Sequence, residues 1–394
     1  MVRELPWIMN PNDSKNKIKL TIFLPNLEAG GAERVTLNLL SALDKGIFEP
    51  TLLIGEKRGE FFNKIEKDII IHDLETTSSS KLIFKIATYL KKEKPDIFVS
   101  VFTRFTILSI LASIISRSKT RIIIIEHASS SYFYLIVHNY FLSLFSFFVL
   151  PFLIKIFYRK ASAIICVSEG IANDLLRVVN LPNLIKIVYN PIINDQIYSL
   201  CQEPVQHDWF LDKKYPVIIA AGRLTKAKDY PNLLMAFKLV VQNKPAHLVI
   251  LGEGEERKKL EDLTKKLEIS ENIAFLGFQK NPYKYMAKSS VFVLSSLREG
   301  IPTVIIEAMA CGVPVVSTDC ASGLREIIEN RENGFLVPVS DPQKLADAIL
   351  ILLKTPKLRE ELSKEAQKKL TPFLINNSTK KYEKIFTEVV SSNK

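Results

Sequence analysis

"YNPIINDQIY", Tyr189–Tyr198, is a polar stretch with a proline, and it divides two series of short apolar runs. Before it stand "IKLTIFLP", "PTLLIG", "DIIIHDL", "DIFVSVF", "RIIIIEH", "SAIICVS" and "IKIVYN". After it the pattern restarts with "PVIIAAG", "HLVILG", "NIAFLG", "VFVLSS", "VPVVST" and "GFLVP". The runs are rich in β-branched and aromatic residues, as strands buried on both faces should be. Helix-like segments separate most of them, for example Ala32–Asp44 and Lys81–Glu93. Strand alternating with helix predicts parallel sheets covered by helices on both faces. Two such series predict an α/β chain of two doubly wound, Rossmann-like domains facing each other across a cleft. Ligands of such sheets bind outside the carboxyl ends of the strands, so the cleft is where functional residues are sought.

A chain of 394 residues fits two domains, and 47% hydrophobic residues exclude global disorder. The formal charge of +11 points to an anionic partner: phosphate, nucleic acid or an acidic membrane surface. No recognition helix or stacking motif accompanies it, so nucleic acid is not expected. The cysteines Cys166, Cys201, Cys311 and Cys320 form no CxxC pair and fit neither a zinc site nor a disulfide framework. That usage suits a reducing, cytoplasmic compartment. Cys166 and Cys311 lie in apolar runs and read as small core residues. Residues 1–16 read as a loose tail without the apolar stretch of a signal peptide.

One segment breaks the rhythm. "YFLSLFSFFVLPFLIKIFYRK", Tyr140–Lys160, is very apolar and ends in basic residues. A spanning helix needs about 20 apolar residues, and the unbroken run Phe141–Ile154 is short for that. A buried core helix and a helix dipping into the membrane interface are the main readings, with a spanning helix the least favoured. The basic flank and the overall charge favour the interface, with anionic headgroups as partner.

Several strand ends carry candidate chemistry. In "NLEAGGAERVTLNLL", Gly30–Gly31 follow the first strand and open a helix. Glycines there let backbone approach a ligand, and helix-start amides favour anions, although the pattern is no dinucleotide fingerprint. In "AAGRLTKAKDYPNLLMAF", Arg223, Lys226 and Lys228 stand where a phosphate clamp would be. "VILGEGEERKKL" repeats strand, glycine turn and helix at Gly252. In "REGIPTVIIEAMACGVPVV", Pro302 reads as the first helical residue of a helix over Thr303–Cys311 that Gly312 closes. Glu299 then stands just outside the helix and Glu307 inside it. Two carboxylates reaching one ligand suit the hydroxyls of a sugar or ribose, and as an acid–base pair they would also suit glycoside hydrolysis. His127 ends "RIIIIEH" beside Glu126, where it could be acid, base or hydroxyl binder. Metal-ligand spacing is absent.

These landmarks together resemble the retaining, nucleotide-sugar-dependent glycosyltransferases of family 4, with the GT-B fold. "GGAERV", His127, "GRLTKAK", "GEGEE" and the E-x7-E of Glu299 and Glu307 match in order, and "TDCASGLREIIENRENGFLVP" extends the match. The nearest likeness is to bacterial members that build surface or protein-linked glycans on lipid carriers. The resemblance implies an acceptor-binding domain over residues 17–193 and a nucleotide-sugar domain over 194–371. A final helix, 372–394, would cross back to the first. Gly30 and Gly31 would pack near the donor phosphates and the acceptor, and Gly252 near the nucleotide. Arg223 and Lys228 would bind the diphosphate, Glu299 the donor-sugar hydroxyls, Glu307 the ribose, and His127 the donor sugar or acceptor. Backbone at Gly300, Ile301 and Thr303 would face sugar and phosphate. Thr303 replaces the family's usual apolar residue, which bears on donor selection. The implied partners are a nucleotide sugar, UDP-linked, and a glycan acceptor on a polyprenyl carrier. The implied location is the cytoplasmic face of the inner membrane, with no metal and no further cofactor. Rival readings are a nucleotide-sugar epimerase, a phosphorylase, or a non-catalytic nucleotide-sugar-binding scaffold.

Overall fold

The structure, a computed structural model, describes residues 17–28, 30–127, 152–212, 214–320 and 323–392. The first sheet holds β1 (Ile18–Leu24), β2 (Phe48–Ile54), β3 (Ile70–Asp73), β4 (Ile97–Val101), β5 (Arg121–Glu126), β6 (Ala163–Cys166) and β7 (Ile185–Ile187). Their order is β3-β2-β1-β4-β5-β6-β7, and every pairing is parallel. The second holds β8 (Val217–Ala221), β9 (His247–Leu251), β10 (Ile273–Gly277), β11 (Val291–Leu294), β12 (Val315–Thr318) and β13 (Phe335–Val337). It too is parallel, in the order β10-β9-β8-β11-β12-β13. Each strand overlaps an apolar run read from the sequence, although β2 begins two residues before its run, at Phe48. The central ones are buried along their whole length, so no in–out alternation shows in their residues.

Four helices shape the space between the sheets: α1 (Gly31–Ala42), α2 (Asp195–Gln202), α3 (Thr303–Ala310) and α4 (Ile375–Ser391). α2 packs on α3 and belongs to the second unit. The chain leaving β7 and the chain entering α4 run side by side, with Ile375 N donating to Ile193 O at 2.8 Å. α4 then lies on the first unit. It packs against α1, sets Phe386 edge-on to Phe48, and turns Glu383 to cap the Asp44 amide at 2.7 Å. The helix after β11 starts at Thr303, as the sequence suggested, but Pro302 does not take the first helical position. Pro302 has ψ 99° and is the N-cap, and Thr303 is the first helical residue. Cys166 is buried as expected, but Cys311 is only half-buried, and its sulfur lies 3.2 Å from that of Cys201 on α2.

Most of the apolar segment 140–160 lies outside the described residues. Its end, 152–158, is helical, with Ile154 and Tyr158 in the core and Phe152 and Ile156 exposed. No described helix is long and apolar enough to cross a membrane.

Close backbone crossings at the strand ends depend on glycine. Gly252 has φ +132°, and a Cβ there would lie 2.0 Å from the carbonyl oxygen of Gly222. Gly252→Ala should therefore lose roughly 1–3 kcal/mol of stability from backbone strain alone. Urea unfolding reads this directly, and an unchanged midpoint would contradict the crossing.

Candidate functional site

Strand order reverses between β1 and β4 in one sheet and between β8 and β11 in the other. A parallel sheet opens a crevice at such a point, because the flanking connections leave on opposite faces. The loops leaving these strands carry Gly30–Gly31, Phe102, Gly222–Lys228 and Ser295–Gly300. They face each other across the cleft.

The approach is close. A Cβ on Gly300 would lie 2.0 Å from the carbonyl oxygen of His127, and one on Gly31 would lie 3.2 Å from Thr303 Oγ1. So the first domain's glycine turn abuts the start of α3, and the second domain's glycine abuts the end of β5. Ile301 is buried in the core. Glu326 adds a further tie. Its carboxylate accepts from the amides of Glu169 and Gly170, at 2.9 and 2.8 Å, and from the Tyr189 hydroxyl at 3.0 Å. It thereby caps a helix of the opposite domain, where a negative charge is favoured.

On the second domain, hydrogen bonds join the loops after β8 and β11. Ser295 Oγ donates to Lys228 O at 2.8 Å, and Leu297 N to Ala227 O at 2.9 Å. This fixes Lys228, whose ammonium meets Glu299 Oε1 at 2.5 Å. Ser296 Oγ donates to the same oxygen at 2.6 Å. Lys228 is thus an anchored cation, and an ammonium has three donors, so it can keep Glu299 and reach a second anion. Arg223 is exposed, whereas Glu33 across the cleft is buried. Burial raises the Glu33 carboxyl, and its own backbone and the Arg223 charge offset part of that rise. Lys226 is exposed. Gly252 stands beside this loop, with its backbone crossing that of Gly222.

Glu307 answers the question its helix poses. Only 3% of its surface is exposed, among the apolar residues of α3. Arg34 on α1 donates from Nη1 to its Oε1 at 2.6 Å, and the Tyr283 hydroxyl reaches the same oxygen at 3.3 Å. The carboxylate's burial is therefore offset within the protein, by a guanidinium from the other domain. Burial works against the charged form of Arg34, but Glu307 and Tyr283 together outweigh it and its pKa rises.

At the end of β5, His127 keeps some surface in the cleft, yet surrounding protein desolvates the ring and pushes its pKa down to about 4. The imidazole is neutral at neutral pH. The Phe102 ring stands 6.4 Å away, on a residue with φ +73° at the end of β4. Such a conformation is costly outside glycine and marks a constrained site. Behind His127, Glu126 is buried and accepts from Thr103 Oγ1 at 2.9 Å and from the Tyr158 hydroxyl. Among the described residues, no group of three or more His, Cys, Asp or Glu side chains is placed to hold a metal ion.

Arg34, Tyr283, Glu33 and Glu326 were not singled out by sequence. "GGAERV" contains Glu33 and Arg34, but only its glycines carried a readable geometric reason.

Burial pushes Glu126 up to about 7, while Tyr158 and Thr103 pull it back. The folded state thus holds this proton more tightly than the unfolded chain. The associated stabilisation is full below the ordinary carboxyl range and is lost as pH rises through about 7. Urea unfolding should show stability falling across that window, with a flatter slope in Glu126→Gln. Equal slopes in the two proteins would contradict this.

Comparison with known proteins places these features in a family. The model described as Glycosyltransferase Family 4 matches residues 29–196, and the one described as Glycosyl transferases group 1 matches 202–369. A Campylobacter jejuni protein is 33% identical over 366 residues, covering 90% of this chain and 95% of that protein. It is named N-acetylgalactosamine-N,N'-diacetylbacillosaminyl-diphospho-undecaprenol 4-alpha-N-acetylgalactosaminyltransferase. The amylovoran biosynthesis glycosyltransferase AmsD of Erwinia amylovora is 25% identical, over 88% of this chain and 93% of its own length. Among solved structures, Anabaena HepE in complex with UDP and glucose superposes with a TM-score of 0.79 at 20% identity, covering 94% of this chain and 100% of HepE.

Proposed function

The chain belongs to the family 4 glycosyltransferases, and on that premise we propose a retaining, metal-independent hexosyltransferase. It moves a hexose or N-acetylhexosamine from a UDP-linked donor to a glycan on a polyprenyl carrier, in bacterial surface polysaccharide or glycoprotein glycan synthesis. The observation that carries this reading is the Lys228–Glu299 pair at the carboxyl ends of β8 and β11, with Arg223 on the loop of Lys228, Glu307 on the helix after Glu299, and Gly31 against the start of that helix. The carrier rests on the undecaprenol named for the Campylobacter relative.

In this reading the donor lies along the second domain. Glu307 takes the ribose hydroxyls, and Arg223 and Lys228 take the diphosphate. Backbone at Gly300, Ile301 and Thr303 lies against sugar and phosphate, with Gly252 beside the nucleotide. As the bond from the sugar to the diphosphate breaks, negative charge gathers on phosphate oxygen. Lys228, already anchored, and the exposed Arg223 stabilise it in a closed cleft. Positive charge develops on the sugar, and the Glu299 carboxylate, held by Lys228 and Ser296, lies on its hydroxyls. The acceptor hydroxyl attacks from the face the diphosphate leaves, which gives retention. His127, neutral and partly open to the cleft, orients sugar or acceptor. The cations supply the charge that a metal supplies in other transferases.

UDP-, GDP- and ADP-sugars offered with lipid-linked glycans test the reading by acceptor mass and nucleotide release. One added sugar is expected, with turnover at least about a hundredfold lower in Arg223→Ala, the scale of losing one transition-state donor. Conversion of the nucleotide sugar without acceptor would make the protein an epimerase. Full turnover in Arg223→Ala would end the clamp.

The peripheral location, on the cytoplasmic face of the inner membrane, follows from the acceptor and from the charge of +11. Binding to anionic vesicles should be strong at low salt and fall steeply by 0.5 M salt. Protein that stays in the supernatant at low salt would contradict it.

A further inference from the structure

Glu307 has two carboxylate oxygens, and the protein treats them differently. Oε1 accepts from Arg34 at 2.6 Å and Tyr283 at 3.3 Å. Among the described residues no donor reaches Oε2. Arg34 is held at one end of its guanidinium, its Nε being buried with no hydrogen-bond partner among the described residues. Its guanidinium lies over the Phe61 ring at 5.4 Å, and Nη1 also reaches the Tyr283 hydroxyl at 3.3 Å. The carboxylate's rotation is therefore fixed by one oxygen, which aims the other. Arg34 sits 273 positions from Glu307 in the chain and on the opposite domain.

We propose that Arg34 is a positioning residue for nucleotide recognition: it crosses the cleft to hold Oε1 of Glu307, and so presents Oε2 to the two hydroxyls of the donor's ribose. This rests on the reading of Glu307 as the ribose-binding carboxylate. The physical reason is directional. A carboxylate accepts well from a vicinal diol only when its free oxygen points at it, and a side chain with three rotatable bonds loses that aim when its anchor is removed. Arg34 is on the first domain, so the aim exists only while the domains are apposed. Recognition of the ribose is thereby coupled to closure, with no contact between Arg34 and the nucleotide.

The test compares UDP, GDP and ADP with their 2′-deoxy counterparts by calorimetry, on wild type, Arg34→Met, Arg34→Lys, Glu307→Gln and the Arg34→Met/Glu307→Gln double variant. The nucleotide that binds wild type most tightly is followed. Wild type should prefer the ribonucleotide by about tenfold, the scale of a hydrogen bond to a charged group. Glu307→Gln should erode that preference, Arg34→Met should erode it as far, and the double variant no further. Arg34→Lys should restore part of it. Should Arg34→Met fail to fold, Tyr283→Phe, which removes the second donor to Oε1, should lower the preference about threefold.

Wild-type discrimination retained in Arg34→Met, or in Tyr283→Phe where that variant stands in, with discrimination lost in Glu307→Gln, would overturn the positioning role and leave the ribose reading standing. Equal weakening of ribo- and deoxyribonucleotide in Arg34→Met would also overturn it, by making Arg34 a direct phosphate contact. Full discrimination in Glu307→Gln, or none in wild type, would overturn the ribose reading and the inference together.

Discussion

Glu307 carries a carboxylate into an apolar helix, and Arg34 meets it from the other domain. A buried carboxylate is tolerable only with a partner, and breaking such a pair costs about 3–5 kcal/mol. The two sheets are tied by that requirement. The helix start lies so near the glycine turn that a Cβ on Gly31 would press on the Thr303 side chain at 3.2 Å. The loop before it can touch the end of β5 because Gly300 has no side chain to strike His127. Remove the pair and the reason for the apposition weakens; fill the glycines and its geometry is closed off.

Around that tie the cleft divides its charge. Lys228 and Glu299 neutralise one another on a framework of loop hydrogen bonds. Arg223 stays exposed opposite the buried Glu33. A diphosphate entering the cleft meets one anchored cation and one exposed one, while the carboxylates are already oriented. That is pre-organisation in the electrostatic sense, with dipoles and charges set before the ligand arrives. Glu326, reaching across to cap the helix that begins at Glu169, holds the same arrangement beside Gly300, which neighbours Ile171 and Gly323.

The strands were legible because a central parallel strand is buried on both faces and so apolar throughout, and even the exposed edge strands β3 and β7 keep short isoleucine-rich runs. The strand-end residues followed from them, since β8 and β11 bring Arg223, Lys228 and Glu299 to one crevice. Contacts between distant segments were not legible. No spacing rule links Arg34 to Glu307, Glu326 to Glu169 or Cys201 to Cys311, for each pair is brought together only by two domains or two helices packing. Pro302 misled for a local reason: it suits the first helical position, but its ψ here is extended and it serves as the cap. The direction of α4 was unreadable from pattern, because an amphipathic helix shows that it has an apolar face without showing what covers it.

The central claim is that a nucleotide sugar binds between the carboxyl ends of the two sheets, against the loops of β8 and β11. Amide hydrogen exchange with and without saturating UDP, GDP or ADP addresses it directly. The account predicts slowed exchange at Gly222–Lys228, at Gly252–Glu256 and from Ser295 into the first turn of α3, with the nucleotide that binds. Protection confined to other surfaces, or binding with no protection of these loops, would contradict it.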